Sequence, residues 1–217
     1  MSISSLSEND FEKRLAKRLT DKPLPGPDAQ YAMSHVLRQR EAAVPEDARV
    51  ACVMCAFYRK DDEWYLPLIK RASKNPNDKH GGQIGLPGGK QEDVDVSLIA
   101  TALRETEEEI GVPTSAIQVL GGLTSLYIPV SNFQVYPFVG VIDSLPVFVE
   151  QVEEVEEVVE VPLRALLDPA ARQLTDLRVR STIVLKEVPY FNVSDRVIWG
   201  ATAMILGELT EVLHSVG

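Results

Sequence analysis

The sequence predicts an α/β protein, and two kinds of pattern along its 217 residues support this prediction. Short apolar runs bounded by polar or glycine-containing turns recur through the chain, as is typical of β-strands. Longer segments with apolar residues at helical spacing stand at residues 95–110 and from residue 200 onwards. Hydrophobic residues make up 45% and charged residues 25% of the chain, the balance of a globular domain that buries a sizeable core.

The N-terminal part of the chain is predicted to hold two helices separated by a connector. Ser7 is a candidate N-cap for a first helix, whose apolar face is formed by Phe11, Leu15 and Leu19. Prolines 23, 25 and 27 predict an extended connector over residues 20–28, because proline is disfavoured inside helices. Residues 29–41 are predicted to form the second helix.

Residues 50–58 and 64–70 predict a β-hairpin, because two apolar runs flank a short charged turn. Cys52 and Cys55 lie in the first of these strands, where positions i and i+3 face opposite sides. Their C-x-x-C spacing suggests a redox or zinc motif, but no second cysteine pair or nearby histidine completes a zinc site. We therefore expect two reduced thiols that pack in the core of a cytoplasmic protein.

The helix predicted at residues 95–110 has Asp95 or Ser97 as its N-cap and ends at Gly111, shortly before Pro113. At about 100° per residue, one arc of this helix collects its buried side chains. That arc is formed by Leu98, Ile99, Ala102, Leu103, Thr106 and Ile110.

The second half of the chain is predicted to continue with strands. They are residues 117–120, 123–128 and 133–142, and Pro137 indicates an edge strand or a bulge in the last of them. An acidic loop is expected at residues 150–160 and a short helix at residues 164–167. Residues 178–188 and 188–191 suggest a final hairpin, before a C-terminal helix that turns Met204, Leu206, Leu209 and Leu213 inward.

Three carboxylates share one edge of the helix at residues 95–110. Glu105 and Glu109 are one turn apart, Glu108 lies beside them, and Arg104 flanks Glu108 at i,i+4. Like charges so close destabilise a helix, and a bound divalent cation would remove the conflict. Carboxylate oxygens suit Mg²⁺ or Mn²⁺. The spacing alone is equally consistent with a solvated acidic face.

A glycine-rich loop, L-P-G-G-K at residues 86–90, precedes this helix, and the combination resembles a known motif. The stretch is similar to the Nudix box, G-x5-E-x7-R-E-U-x-E-E-x-G-U, where U is a bulky apolar residue. Residues 104–112, R-E-T-E-E-E-I-G-V, match its C-terminal half except that Thr106 takes an apolar position. Gly89 stands one residue further from the box arginine than the motif allows, and Asp95 is out of register with the box glutamate.

Such an insertion is common in the coenzyme A-directed branch of the Nudix family, and other segments of the chain also resemble that branch. They are Arg71-Ala72, H-G-G-Q at residues 80–83, L-P-G-G at residues 86–89, residues 131–140 and residues 198–203. The loop is about two residues longer than the branch pattern. Asp78 stands near the place of an arginine that the pattern contains.

The resemblance implies a Nudix fold, with a mixed β-sheet sandwiched between helices (α/β/α) over residues 31–217. Residues 1–30 would precede it as an N-terminal helix and Pro-rich connector. The implied metal ligands are Glu105, Glu108, Glu109 and the carbonyl of Gly89, and the implied substrate-binding residues are Arg71, His80, Gln83 and Gly88. The family often supplies a further ligand or a general base from the acidic loop, here Glu154 or Glu157. The expected catalytic residues are Glu108, Glu157 and Arg104, the last as an orienting group.

The implied activity is hydrolysis of a diphosphate linkage with Mg²⁺ or Mn²⁺, and the expected substrate is coenzyme A or an acyl-coenzyme A. One alternative is a hydrolase for ADP-ribose or another nucleoside-diphosphate derivative. A second alternative is an inactive Nudix domain that acts as a nucleotide-binding regulator. The three glutamates of the box disfavour the regulator hypothesis, because an inactive domain is expected to have lost them. A regulator could also carry a DNA-binding domain, and about 30 N-terminal residues are too few for one.

The net charge of −10 disfavours nucleic acid as a partner, because binding to phosphates along a strand needs a basic surface. A phosphorylated small molecule stays compatible, since bound cations reverse the local field. We see neither an apolar signal segment nor a run long enough to span a membrane, so the sequence predicts a cytoplasmic protein. A homodimer is expected by analogy with the family.

Overall fold

The computed structural model describes residues 7–38, 43–73, 81–180 and 183–216. The helices are α1 (Glu8–Asp21), α2 (Gly26–Tyr31), α3 (Leu98–Ile110), α4 (Leu163–Leu167) and α5 (Gly200–His214). The strands of a first sheet are β1 (Arg49–Lys60), β2 (Glu63–Arg71), β3 (Ile84–Gly85), β4 (Gly88–Lys90), β5 (Ile117–Gly122), β6 (Leu126–Ile128), β7 (Phe133–Ile142) and β8 (Val155–Pro162). A second sheet contains β9 (Arg172–Arg180), β10 (Ile183–Val193) and β11 (Arg196–Trp199).

The first sheet is mixed. Its strand order is β3-β2-β1-β7-β5, and β4, β6 and β8 pair with β1, β7 and β2 respectively. Strands β1 and β7 run parallel, whereas the other pairs are antiparallel. The second sheet has the order β11-β10-β9.

Helices cover both faces of the first sheet. Ala102 and Ile110 of α3 pack on one face with Cys52, while α1 and α5 pack on the other face with Cys55. The two cysteines are buried free thiols on opposite sides of β1, as predicted. The α/β/α prediction is therefore confirmed.

The N-terminal helix forms as predicted, but the second helix does not. The hydroxyl of Ser7 accepts a hydrogen bond from the backbone of Asp10, and Phe11 and Leu15 are fully buried. The prediction of a helix at 29–41 was wrong: α2 lies at Gly26–Tyr31, and residues 39–42 are outside the described residues. Pro27 is tolerated because it stands in the first turn, where its missing N–H would be unpaired anyway.

The acidic stretch is largely a strand, not a loop. Residues 155–162 form β8, because this segment pairs with β2 and its valines pack on both faces of the sheet, Val155 and Val158 on the α3 face and Val159 and Val161 on the α5 face.

Pro137 was predicted to mark an edge strand or a bulge; the edge position is wrong, because β7 lies between β1 and β5, and the irregularity in this ladder lies on β5, between Val119 and Gly121. The carbonyl of Pro137 accepts a hydrogen bond from the backbone N–H of Leu123, which lies between the end of β5 and the start of β6. The N–H that proline lacks would point to the same gap between these two partner strands.

The C-terminal region has three strands where a hairpin turning at residue 188 was predicted. Strand β10 continues through Val188, which is buried and paired with Thr175 of β9, although the pairing is irregular between Leu185 and Val188. Helix α5 follows, and its inward residues are those predicted: Met204, Leu206, Leu209 and Leu213 are all fully buried.

Candidate active site

Helix α3 begins and ends at the residues that the capping signals indicate. The Ser97 hydroxyl accepts a 3.1 Å hydrogen bond from the backbone of Ala100, so Ser97 is the N-cap and Asp95 is not. Gly111 ends the helix in the left-handed conformation, φ 72°. The buried stripe differs from the prediction at Ile99, which is 40% exposed, while Thr101 is fully buried.

Thr106, which takes an apolar position of the motif, is fully buried. Its hydroxyl donates a 2.7 Å hydrogen bond to the carbonyl of Ala102 one turn earlier. Because this bond satisfies the hydroxyl inside the helix, only the methyl-bearing side of threonine needs packing partners. The departure from the motif therefore leaves the helix intact.

The glycine loop lies directly against β1, with Gly88 opposite Val53 and Gly89 opposite Cys52. Gly88 has φ 146°, and a Cβ there would overlap the carbonyl oxygen of Cys52. Only glycine fits this backbone and this space. The conformation lets the Gly88 N–H donate a 2.8 Å hydrogen bond to the carboxylate of Glu109.

Gly89 allows a second close approach. A Cβ at Gly89 would collide with the carboxylate of Glu105, so this carboxylate lies against bare backbone. Glu105 and Glu109 therefore face neighbouring residues of one glycine turn. The helical spacing predicted that these two side chains would converge, and the structure brings them together.

Glu109 is a buried carboxylate, 2% exposed, with an altered proton affinity. Burial raises the pKa of Glu109 to about 7, although the Gly88 N–H and the Arg71 guanidinium, 3.8 Å away, oppose the rise. Burial also raises the pKa of Glu105. The negative charge of Glu105 adds to the rise in the pKa of Glu109, and the charge of Glu108 adds to the rise in the pKa of Glu105.

Arg104, a residue of α3, links the carboxylates of the helix to the loop before it. It donates 2.9 Å hydrogen bonds to Glu105 and Glu108, and it binds both oxygens of Asp95 at 2.9 Å. Asp95 is therefore not a helix cap but the partner of Arg104, and the pairing lowers the pKa of this carboxyl well below its usual range. The extra residue before Arg104 is absorbed in the loop ahead of Ser97. Glu108 is the outermost of the three glutamates, with a side chain 56% exposed.

Two of the residues predicted to bind substrate border this cluster. Arg71, at the end of β2, places its guanidinium beside Glu109, and its backbone N–H donates to the Gln83 carbonyl at 3.0 Å. This hydrogen bond places Gln83 beside Arg71, on the same side of the carboxylate cluster. His80 lies outside the described residues.

The structure does not bring Glu157 to the cluster. Ile69 and Val158 pair on the α3 face of the sheet, so their neighbours Lys70 and Glu157 face the other side. There the Glu157 carboxylate accepts a 2.6 Å hydrogen bond from Arg196 of β11. The choice of Glu157 over Glu154 missed this alternation, because residues 150–160 were interpreted as a loop.

Glu154, the other candidate, lies at the cluster. Its negative charge contributes to the raised pKa of both Glu105 and Glu109. Its carbonyl accepts a 2.8 Å hydrogen bond from Ala72, directly after Arg71. The sequence contained a signal against Glu157. If residues 155–162 form a strand, Glu157 points to the same side as Val159 and Val161, which pack on the α5 face.

The donor set fits a divalent cation. The carboxylates of Glu105 and Glu109 and the backbone carbonyls of the glycine turn are hard oxygen ligands. A bound cation would also relieve the repulsion among Glu105, Glu109 and Glu154. Across the described ranges, no group of three or more acidic, histidine or cysteine side chains is arranged so that it could hold a metal ion by itself. A partial protein ligand set suits Mg²⁺, which usually keeps several water ligands.

A mixed sheet between helices, with paired carboxylates on one helix beside a glycine turn, is the arrangement of a Nudix hydrolase. Residues 48–179, more than half of the chain, match the model of the NUDIX domain. The chain belongs to the Nudix family. It is a pyrophosphohydrolase that acts on nucleoside-diphosphate derivatives, and Nudix hydrolases generally use divalent metal ions.

Two relatives, each described as an uncharacterized Nudix hydrolase NudL, extend the match along the chain. The protein from Yersinia pestis (strain Pestoides F) is 36% identical over 190 residues, which cover 87% of this chain and 88% of the relative. The protein from Cronobacter sakazakii is 35% identical over 175 residues, 80% of this chain and 88% of the relative.

Solved structures show the same fold at low sequence identity. The Nudix hydrolase RenU from M. smegmatis has a TM-score of 0.51 at 15% identity, covering 78% of this chain and 88% of that one. A MutT/nudix family protein from Enterococcus faecalis has a TM-score of 0.51 at 14% identity, covering 96% and 75%. Within the described part of this chain, no helix is both long and apolar enough to cross a bilayer.

Proposed function

We propose that this chain hydrolyses the diphosphate linkage of coenzyme A or an acyl-coenzyme A, releasing a phosphopantetheine fragment and adenosine 3′,5′-bisphosphate. Water adds to one phosphorus, the bridging P–O bond breaks, and each product keeps one of the two phosphates. The observation that carries the hydrolysis is the carboxylate pair Glu105 and Glu109 against the glycine turn, with an arginine at its side.

The proposed metal ligands are Glu105, Glu109 and the carbonyl of Gly89, with Glu108 as an outer ligand. These residues would hold a divalent cation, which would neutralise charge on the diphosphate and lower the pKa of a bound water molecule. Arg104 fixes the orientation of Glu105 and Glu108 through its hydrogen bonds. This role needs no contact between Arg104 and the substrate.

Two further residues complete the proposed chemistry. Glu154 accepts the proton of the attacking water, because it is the acidic-loop carboxylate that lies at the cluster. Arg71 pairs with a substrate phosphate, since its guanidinium stands at the edge of the carboxylate pair and is 40% exposed. Pairing with β1 fixes the position of the glycine turn, whose Gly88 N–H is directed at Glu109.

The choice of coenzyme A rests on the separated segments that resemble the coenzyme A-directed branch. Arg71 and Gln83 come from two of these segments; the Arg71 guanidinium lies beside Glu109, and the Arg71 backbone N–H donates to the Gln83 carbonyl. Gly88 and Gly89 come from the next segment, and they contact Glu109 and Glu105. Residues that are distant in sequence but share the branch pattern therefore border one site.

A substrate panel tests the proposal. Purified protein with Mg²⁺ or Mn²⁺ is assayed on coenzyme A, an acyl-coenzyme A, ADP-ribose and a dinucleoside polyphosphate, and the products are separated by chromatography. We expect the highest kcat/KM for coenzyme A or its acyl derivative. Hydrolysis of ADP-ribose or a dinucleoside polyphosphate with none of coenzyme A would reject this substrate.

A matched pair of variants sharpens the assay. Arg71→Ala is expected to raise KM for the preferred substrate about tenfold or more, because a desolvated phosphate contact is lost. Lys70→Ala removes a cation from the adjacent position on the opposite face of the sheet, where Lys70 pairs with Glu156, and should leave KM unchanged. Equal effects of the two substitutions would contradict the role of Arg71.

A further inference from the structure

The turn that leads into β8 brings Glu154 to the carboxylate cluster, and Gln151 accepts hydrogen bonds from the residues that follow it in this turn. The Gln151 carbonyl accepts from the backbone N–H groups of Glu154, at 2.9 Å, and Val155, at 2.8 Å. The side-chain oxygen Oε1 of Gln151 accepts from the N–H of Glu153 at 2.7 Å. Three successive N–H groups therefore converge on one residue.

Gln151 also joins this turn to the helix of the site. Its own backbone N–H donates a 3.1 Å hydrogen bond to the carbonyl of Glu109, in the last turn of α3. Carbonyl groups at the end of a helix lack partners within the helix, so this bond satisfies a group that needs an outside donor. The residue that supplies the buried carboxylate of the site thus holds the turn through its main chain.

Strand β2 holds the other side of the turn. The carbonyl of Glu154 accepts a 2.8 Å hydrogen bond from the N–H of Ala72, which follows Arg71. The backbone of Glu154 is therefore bonded to Gln151 through its N–H and to Ala72 through its carbonyl. These contacts fix the point from which the Glu154 side chain starts, between α3 and β2.

The side chain of Gln151 supplies the one bond of this set that depends on amino-acid identity. Any residue except proline at position 151 keeps the backbone bonds, whereas the bond to the Glu153 N–H needs an acceptor in the side chain. A side-chain oxygen that accepts from the N–H two residues further on restricts a turn, as asparagine and aspartate do in Asx-turns. The Oε1 bond of Gln151 therefore restricts the turn that carries Glu154.

We propose that Gln151 is a positioning residue of the hydrolase, which acts by holding the Glu154 carboxylate in place relative to Glu105 and Glu109. This inference rests on the proposed function, in which Glu154 accepts the proton of the attacking water. A general base must lie within about 2.6–3.2 Å of the atom whose proton it removes. A misplacement of about 1 Å can cost a hundredfold in rate, so a bond that orders this turn affects turnover.

Gln151→Ala tests the side-chain bond, because it removes Oε1 and keeps the backbone bonds of the turn. We expect kcat on the preferred substrate to fall about tenfold and KM to stay unchanged, since Arg71 keeps its place. Gln151→Asn should restore kcat to within about twofold of wild type, because asparagine can accept from the same N–H. Val152→Ala is the matched control: it shortens an exposed side chain of the same turn and should leave kcat unchanged.

A double-mutant cycle tests whether Gln151 acts through Glu154. Gln151→Ala should lose its effect in the Glu154→Gln background, so the double variant should turn over as slowly as Glu154→Gln alone. A merely structural role would lower kcat by the same factor in both backgrounds. The Mn²⁺ affinity of Gln151→Ala should match wild type, because the backbone bond to Glu109 is kept. Kinetics are measured below the melting transition of each variant.

The outcomes separate the role of Gln151 from the function on which it rests. Normal kcat in Gln151→Ala, a failure of Gln151→Asn to restore kcat, or an equal loss in both backgrounds would overturn the role of Gln151 and leave Glu154 as the base. Normal kcat in Glu154→Gln would instead contradict the base itself, and the role of Gln151 with it.

Discussion

At the scale of single residues, the site depends on Glu109, whose carboxylate is buried where ionisation is unfavourable. Glu109 is buried on the helix side that should be apolar, and its pKa is raised to about 7. Neighbouring carboxylates make ionisation harder still. Such a position is costly unless a cation fills it, which is why Glu109 is the most informative residue to change.

Glu109→Gln should lower kcat by about a hundredfold or more, because it removes a charged ligand at the place where charge develops in the reaction. Thermal stability should change little, since glutamine still accepts the Gly88 N–H and removes a buried charge. Steady-state kinetics and a melting curve of the same preparation measure both effects. Near-normal turnover would mean that the catalytic centre lies elsewhere.

Glu154 and Glu157 form a matched pair for the identity of the base. Glu154→Gln should lower kcat by about a hundredfold, the usual scale of a general base, whereas Glu157→Gln should leave kcat within about twofold. The reason is that Glu157 lies on the opposite sheet face and binds Arg196. Kinetics on the preferred substrate decide the matter, and the reverse order of the two effects would refute this assignment.

The convergence of Glu105 and Glu109 could be predicted because helical spacing puts i and i+4 on one face. The position of Glu157 was missed because residues 150–160 were interpreted as a loop; once they are known to form β8, the parity that Glu157 shares with Val159 and Val161 places it on the α5 face. The partnership of Asp95 and Arg104 also escaped prediction, because loop conformation, not spacing, brings them together.

At the scale of elements, the loop before α3 is held by Asp95. Its side chain is 3% exposed, binds Arg104 through both oxygens and accepts the backbone N–H of Glu92. Asp95, although out of register with the acid of the motif, therefore contacts the arginine of the motif in this chain. Loop and helix form one unit.

Asp95→Asn should lower the free energy of unfolding at neutral pH by about 1.5 to 3 kcal/mol, the scale of charge-assisted hydrogen bonds. The folded-state pKa of Asp95 lies below the ordinary value of 3.8, so its stabilisation is present above that value and is lost as pH falls through the folded-state pKa. The difference from wild type should therefore shrink in acid. Urea unfolding at a series of pH values measures it, and a constant difference would contradict the linkage.

Elements with strong periodicity and clear caps, such as α1, α3 and α5, could be predicted from the sequence. The failed elements needed tertiary information. Residues 29–41 have helical composition, but the chain folds as α2 earlier, where α2 packs on α5. Residues 155–162 are rich in glutamate, yet pairing with β2 makes them a strand.

At the scale of the whole molecule, a buried carboxylate joins distant parts of the chain. Glu208 of α5 is fully buried and accepts hydrogen bonds from Gly26, Gln30 and Thr124. These residues lie in or beside α2 and in the segment between β5 and β6. The donors are neutral, and together they satisfy both oxygens.

Glu208→Ala should lower the free energy of unfolding by about 3 kcal/mol or more, because several buried donors lose their acceptor. Turnover per folded molecule should be unchanged, since Glu208 lies on the sheet face opposite α3. Chemical denaturation and activity at low temperature separate the two effects. A loss of turnover without a loss of stability would argue against this structural role.

The measurement that tests the cation site most directly is Mn²⁺ binding, followed by the electron paramagnetic resonance signal of the free ion. We expect wild-type protein to remove at least one equivalent of Mn²⁺ from solution, Glu109→Gln to bind it about tenfold more weakly or worse, and Glu157→Gln to match wild type. Wild-type protein that leaves the free Mn²⁺ signal unchanged, or Glu109→Gln that binds as tightly as wild type, would contradict the assignment of Glu105 and Glu109 as the centre of this hydrolase.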